Sequence, residues 1–114
     1  MLVLKCDQGF VDYKSSGSAK LECNKATYEV IRAERGERGL VHFRGENGKY
    51  WQTQVDGVAA AGDQGDNPQG FHLEIHEPTR MCIKPTGGRY IVSEKNGSFV
   101  LGSSEASKAT KWEF

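Results

Sequence analysis

The chain has 114 residues, the length of one domain built around one core, and carries 15 basic against 15 acidic residues. A folded chain of this size buries roughly two-thirds of the surface that its unfolded form exposes, so neither a disulfide nor a metal is needed to hold it. Balanced charge excludes a dominant polyanion-binding role, because nucleic-acid partners demand a strong basic excess, and no apolar run approaches a membrane-spanning length.

Taken in order, the chain reads as short strands separated by turn residues. Leu2 and Leu4, then Phe10, alternate with polar neighbours as a half-buried strand pair should. Ser15 to Ser18 forms a turn, and the next strand sets Ala19, Leu21 and Cys23 on one face. Tyr28 to Glu34 is the fourth strand, since it has neither an N-terminal cap nor a 3.6-residue apolar period to support a helix. Arg35-Gly36-Glu37-Arg38-Gly39 is a connector whose two glycines can take positive φ. Leu40 to Phe43 and Tyr50-Trp51 are strands on either side of the Glu46-Asn47-Gly48 turn, and Val55-Asp56-Gly57-Val58 is a hairpin of the Asp-Gly kind. Gly62 to Gly70 is a polar loop. Phe71 to His76 then alternates strictly, with Phe71, Leu73 and Ile75 inward and His72, Glu74 and His76 outward. Met81 to Lys84, Tyr90-Ile91 and Ser98 to Leu101 are strands with a turn at Asn96-Gly97, and a polar loop from Ser103 to Lys111 precedes the closing Trp112-Glu113-Phe114.

These strands repeat. Leu4, Phe43 and Ile83 are 39 and 40 residues apart, as are the basic residues Lys5, Arg44 and Lys84 that follow them. Glycines 9, 48 and 88 keep the same intervals, and Glu34, Glu74 and Glu113 recur at 40 and 39. A fixed period of this length marks a repeat architecture in which no copy can cover its own apolar face. Three four-stranded copies, at about 1–38, 39–78 and 79–114, predict an all-β chain closed about a pseudo-threefold axis, a β-trefoil spanning 1–114 as a single domain.

Several constellations invite a chemical reading and lose to a plainer one. His72, Glu74 and His76 share a strand face, but same-face neighbours are about 7 Å apart, too loose to close on one ion; no metal is expected. Cysteines 6, 23 and 82 are an odd number without ligand spacing and read as reduced, partly buried thiols of an intracellular protein. No activating histidine is set beside Cys82, so no enzyme activity and no cofactor are expected. The 62–70 loop lacks the Gly-Lys-Ser/Thr ending of a phosphate loop and is acidic. Tyr50, Trp51, Tyr90 and Trp112 could stack sugars as in trefoil lectins, but they sit at repeated positions that favour core or barrel-cap packing. Residues 1–10 lack the pattern of a secretory signal, which points to the cytoplasm if Met1 is the natural start and says nothing if the chain is cut from a longer one.

With the repeats placed, Gly48-Lys49-Tyr50-Trp51, Phe71 to Ile75, Ile83-Lys84 with Gly87 to Tyr90, Gly97 with Val100-Leu101, and Trp112-Glu113-Phe114 together resemble fascin, an actin-bundling protein of four tandem β-trefoils. The likeness covers essentially the whole chain and is strongest to fascin's last domain. It implies a cytoskeletal module that binds filamentous actin, docks on other trefoils of the same chain, and takes no nucleic acid or membrane as partner. The site residues it implies are Asp7, Lys14, Arg80, Glu94 and Lys95. Gln8 and Lys95 stand where the family can use histidine, and Val92 stands where it has a lysine. The rival readings are a carbohydrate-binding trefoil and a protein-docking trefoil of the growth-factor kind.

Overall fold

The computed structural model describes residues 1–54, 57–62, 68–86, 88–103 and 111–114. Among the described residues twelve strands run in chain order: β1 (Lys5–Cys6), β2 (Gly9–Tyr13), β3 (Leu21–Lys25), β4 (Arg32–Arg35), β5 (Val41–Arg44), β6 (Tyr50–Gln54), β7 (Gly57–Gly62), β8 (Phe71–Glu77), β9 (Arg80–Pro85), β10 (Tyr90–Ser93), β11 (Phe99–Ser103) and β12 (Lys111–Glu113). A 3-10 turn, Glu37–Gly39, precedes β5; there Arg38 (φ 57°) and Gly39 (φ 74°) take left-handed backbone. Gly36, the other glycine expected to do so, stays at φ −106°.

Six strands close a ring. β4 pairs with β5, β5 with β8, β8 with β9, β9 with β12 and β12 with β1. The last gap, β1 to β4, is closed by a bridge just outside the strands, where Leu2 and Ile31 exchange backbone hydrogen bonds of 2.8 and 2.7 Å. Closure leaves the barrel no free edge. The remaining strands form three hairpins, β2–β3, β6–β7 and β10–β11, stitched into a cap by bridges of Lys20 with Ala59 and Glu22 with Ser98. This is the β-trefoil.

Its symmetry is visible in which residues meet. The pairs that join the first strand of each repeat to its last are Leu2 with Ile31, Val41 with Phe71 and Met81 with Trp112. The core is stacked in threes: Leu4, Phe43 and Ile83; Val11, Trp51 and Ile91; Ile31, Phe71 and Trp112; Leu21, Val58 and Phe99, each no more than 1% exposed. Aromatic rings fill its centre. Trp51 meets Phe71 and Phe99 edge-on, and Phe99 meets Trp112 the same way. Such offset contacts add about 0.5–1.5 kcal/mol each beyond the area they bury.

The strand pairing also corrects the reading of the third acidic repeat. Glu34 lies opposite His42 and Glu74 opposite Cys82, but Glu113 lies opposite Lys5, the place that Arg32 and His72 hold against Arg44 and Lys84. An interval of 41 residues, from Phe71 to Trp112, shifts the last strand relative to the 39- and 40-residue spacing elsewhere. Two further expectations change. Strand β4 starts at Arg32, with Tyr28 exposed before it, and Ile75 is 61% exposed because β8 runs past the barrel beside a register shift at Ile75/Glu77. The tip of the Val55–Val58 hairpin, the middle of the 62–70 loop, Gly87 and the 103–111 loop apart from its ends lie outside the described residues.

Candidate functional site

A basic residue sits over the next strand's aromatic ring in every repeat: Lys5 over Phe10, Arg44 over Tyr50 and Lys84 over Tyr90, at 5.4–5.8 Å. In the second and third repeats the tyrosine hydroxyl donates to a carboxylate, Tyr50 to Glu34 at 2.6 Å and Tyr90 to Glu74 at 2.6 and 2.7 Å. Those hydrogen bonds hold the phenol protons, raising Tyr50 and pushing Tyr90 up to about 12. In the first repeat the ring is Phe10, which has no hydroxyl, and Glu113 has moved into register with Lys5. The surface opens at this broken copy.

There a groove of about 1050 Å³ runs across three neighbouring strands. Its floor is a row of alternating charge: Lys5 on β1 lies opposite Glu113 on β12, which lies opposite Arg80 on β9, and Arg80 in turn is 3.8 Å from Glu77. Opposite charges facing across strands are worth about 0.2–1 kcal/mol each, which favours this register. Lys111 completes the floor. One wall is the Asp7-Gln8 turn between β1 and β2. The other is the turn between β10 and β11, with Val92 and Ser93 leading to Glu94, Lys95 and Asn96. That turn is rigid: the Gly97 N–H donates to Glu94 O at 2.9 Å, the Glu94 N–H to Ser98 O at 3.0 Å, and the Ser98 N–H to Asn96 Oδ1 at 3.0 Å.

Of the five site residues that the resemblance implies, Asp7, Arg80, Glu94 and Lys95 line this groove and Lys14 does not. Lys14 follows β2 on the hairpin cap, its N–H donating to Lys20 O and its carbonyl accepting from Lys25 Nζ at 3.0 Å. Lys5, Cys6, Lys111 and Glu113 line the groove without having been singled out. For Lys5 a trace was present in the sequence, as the basic member of the recurring strand end.

The other candidate chemistries are not assembled here. Trp51 and Trp112 are fully buried, and Tyr50 and Tyr90 are 8% and 7% exposed with their hydroxyls engaged, so none of the four offers a face for a sugar to stack on. His76 Nε2 approaches Glu74 at 3.5 Å, and among the described residues no three His, Cys, Asp or Glu side chains gather as metal ligands. No helix of the described residues is long and apolar enough to cross a membrane. A second polar cluster lies inside the fold. Glu29 is fully buried and accepts from the Glu46 N–H at 3.0 Å, while the Tyr13 hydroxyl accepts from the Asn47 N–H at 3.2 Å. Burial raises the Glu29 carboxyl above its ordinary range, against the hydrogen bonds from Tyr13 and Glu46 that lower it.

A six-stranded ring with three capping hairpins, carrying a mixed-charge groove on strand and turn positions, defines a β-trefoil domain. The Fascin domain profile matches residues 7–114. The chain is 34% identical over 114 residues to fascin of the sea urchin Strongylocentrotus purpuratus, 28% identical to mouse fascin-2 and 26% identical to mouse fascin-3, in each case over 99–100% of its length. It spans 22% of the length of each of these relatives. The chain belongs to the fascin domain family.

Proposed function

We propose that residues 1–114 form a single fascin-like β-trefoil that binds filamentous actin through the groove between the Asp7-Gln8 and Glu94–Asn96 turns. It contributes to crosslinking as one trefoil of a tandem array. The observation that carries this reading is the convergence of Asp7, Arg80, Glu94 and Lys95, from the first and third repeats, on one groove. Their spacing in the sequence gives no reason for them to meet; ring closure brings them together.

The mechanism is non-covalent. A filament side is anionic, and Arg80, Lys95, Lys5 and Lys111 raise the encounter rate by long-range attraction, while Asp7, Glu94 and Glu113 set the register by rejecting misplaced carboxylates. Rigid backbone under these side chains lowers the ordering cost of binding. Bundling needs two filament-facing surfaces per particle, so one such groove binds but crosslinks only when other trefoils of the same chain supply a second. The partner places the protein in the cytoplasm, on the cytoskeleton. Co-sedimentation with actin filaments tests the reading: the chain pellets with filaments at low salt and less as salt is raised, because screening weakens attraction between exposed charges. Absence from the pellet at every salt concentration would contradict it.

A further inference from the structure

One wall of the groove holds chemistry that charge recognition leaves unused. Cys6 closes β1, partly exposed, with its Sγ 3.2 Å from the carbonyl oxygen of Cys23 and 3.0 Å from Gln8 Oε1. Cys23 is fully buried on β3, and the Cys6 thiol donates to its backbone carbonyl, so the two residues are in contact. The two strands are not neighbours; β2 runs between them. Cys6 faces Gly9 on β2, and a Cβ at Gly9 would stand 2.8 Å from Lys25 O, so the bare glycine lets β3 close in. Cys23 also holds the opposite wall. Its Sγ lies 3.4 and 3.5 Å from the carbonyl oxygens of Gly97 and Ser98, and its N–H donates to Gly97 O at 2.9 Å.

We propose that Cys6 and Cys23 are an oxidant-sensitive thiol pair that closes to an intramolecular disulfide and, on the filament-binding reading above, loosens the groove when it does. Cys6 reacts first because it is the member that solvent reaches. With hydrogen peroxide its sulfur attacks one oxygen, the O–O bond breaks, and the products are Cys6 sulfenic acid and one water. The Cys23 sulfur then displaces the sulfenic hydroxyl, which leaves with the Cys23 proton as a second water, and the S–S bond forms. Two thiols are oxidised and one peroxide reduced. Burial pushes the Cys23 thiol well up from its ordinary value, so it stays protonated and does not itself react with peroxide; it gives up its proton only in the second step, to the departing hydroxyl. In the disulfide, Cys23 has no S–H to share with Gly97 and Ser98, and the turn that presents Glu94 and Lys95 loses an anchor.

The test is peroxide treatment of the full chain, alkylation of the remaining thiols, and peptide mapping, with Cys82, also fully buried, as the internal reference. The intact mass falls by two hydrogens, one crosslinked peptide pair joins Cys6 to Cys23, and Cys82 stays reduced. Cys6→Ser leaves Cys23 reduced, and Cys23→Ser leaves Cys6 as a sulfenic acid that dimedone traps. Should Cys23→Ser fail to fold, the wild-type map and Cys6→Ser decide the matter alone. Oxidation of Cys6 with Cys23 still free in the wild type, or a crosslink to Cys82, overturns the pair. Actin co-sedimentation of reduced and oxidised chain reads the coupling: the filament-bound fraction constant falls about threefold or more and recovers on reduction. A reduced chain that never pellets sinks the filament reading and leaves the disulfide map standing. A chain that pellets equally well in both states overturns the coupling.

Discussion

Gly9 opens β2 and Gly48 lies in the turn before β6, one step from the matching place in its repeat, and substituting each by alanine should cost very different amounts. At Gly48 the backbone is left-handed (φ +80°), and a Cβ would meet only Arg44 Nη2 at 3.9 Å. Left-handed backbone costs an L-residue about 1–2 kcal/mol, and the smaller entropy of the unfolded alanine chain returns about 0.4–1 kcal/mol. Gly48→Ala should therefore destabilise by about 1 kcal/mol or less. Gly9 sits at φ +145°, with its Cβ position 2.8 Å from Lys25 O and 2.9 Å from Asn24 C, both backbone atoms of β3. Neither the dihedral nor the contact can relax without parting β2 from β3, so Gly9→Ala should cost about 3–5 kcal/mol, a large share of the 5–15 kcal/mol typical of a domain. Urea unfolding followed by far-UV circular dichroism measures both. With a slope near 2 kcal/mol/M, the Gly9→Ala midpoint should fall by about 2 M and that of Gly48→Ala by about 0.5 M or less. Equal losses would refute the reasoning, because they would mean that β3 does not press on Gly9.

The two tryptophans give a second contrast. Trp112 donates to Ile91 O at 3.1 Å, whereas the buried Trp51 N–H has no partner among the described residues. Trp112→Phe strands a carbonyl while Trp51→Phe removes an unpaired donor, so the former should cost about 1–3 kcal/mol more in the same urea assay. Glu29 should make stability fall as pH rises. Its folded carboxyl keeps its proton above the ordinary value of 4.5, so the folded state binds more protons than the unfolded one between the two values. The contribution is whole below 4.5 and is lost as pH climbs through the raised folded value, with Tyr13, Asp12 and Glu46 as the surrounding titratable groups. Glu29→Gln should remove that slope from unfolding free energies measured across pH; parallel curves for mutant and wild type would contradict it.

Much of the architecture was legible because it is periodic. Leu4, Phe43 and Ile83 announce the threefold from their spacing alone, and all three are fully buried. Spacing fails where one repeat gains a residue. Glu113 counts as the partner of Glu34 and Glu74, but the longer step from Phe71 to Trp112 moves it against Lys5 instead. Alternation likewise put Ile75 inward, and it fails there because β8 runs beyond the layer it packs on. The groove is the least legible feature. It is made of four separate segments, around Lys5, Arg80, Glu94 and Glu113, which nothing but ring closure sets side by side. Lys14 shows the converse: the resemblance implied it together with Asp7, but the end of β2 sets it on the hairpin cap, away from the groove.

Charge reversal on and off the groove tests filament binding most directly. Arg80→Glu combined with Lys95→Glu should lower co-sedimentation with actin filaments by about tenfold or more at low salt, with the circular dichroism spectrum unchanged. Lys14→Glu should pellet like wild type. A double variant that pellets as well as wild type, or a Lys14→Glu variant that alone loses binding, would contradict the assignment of the groove.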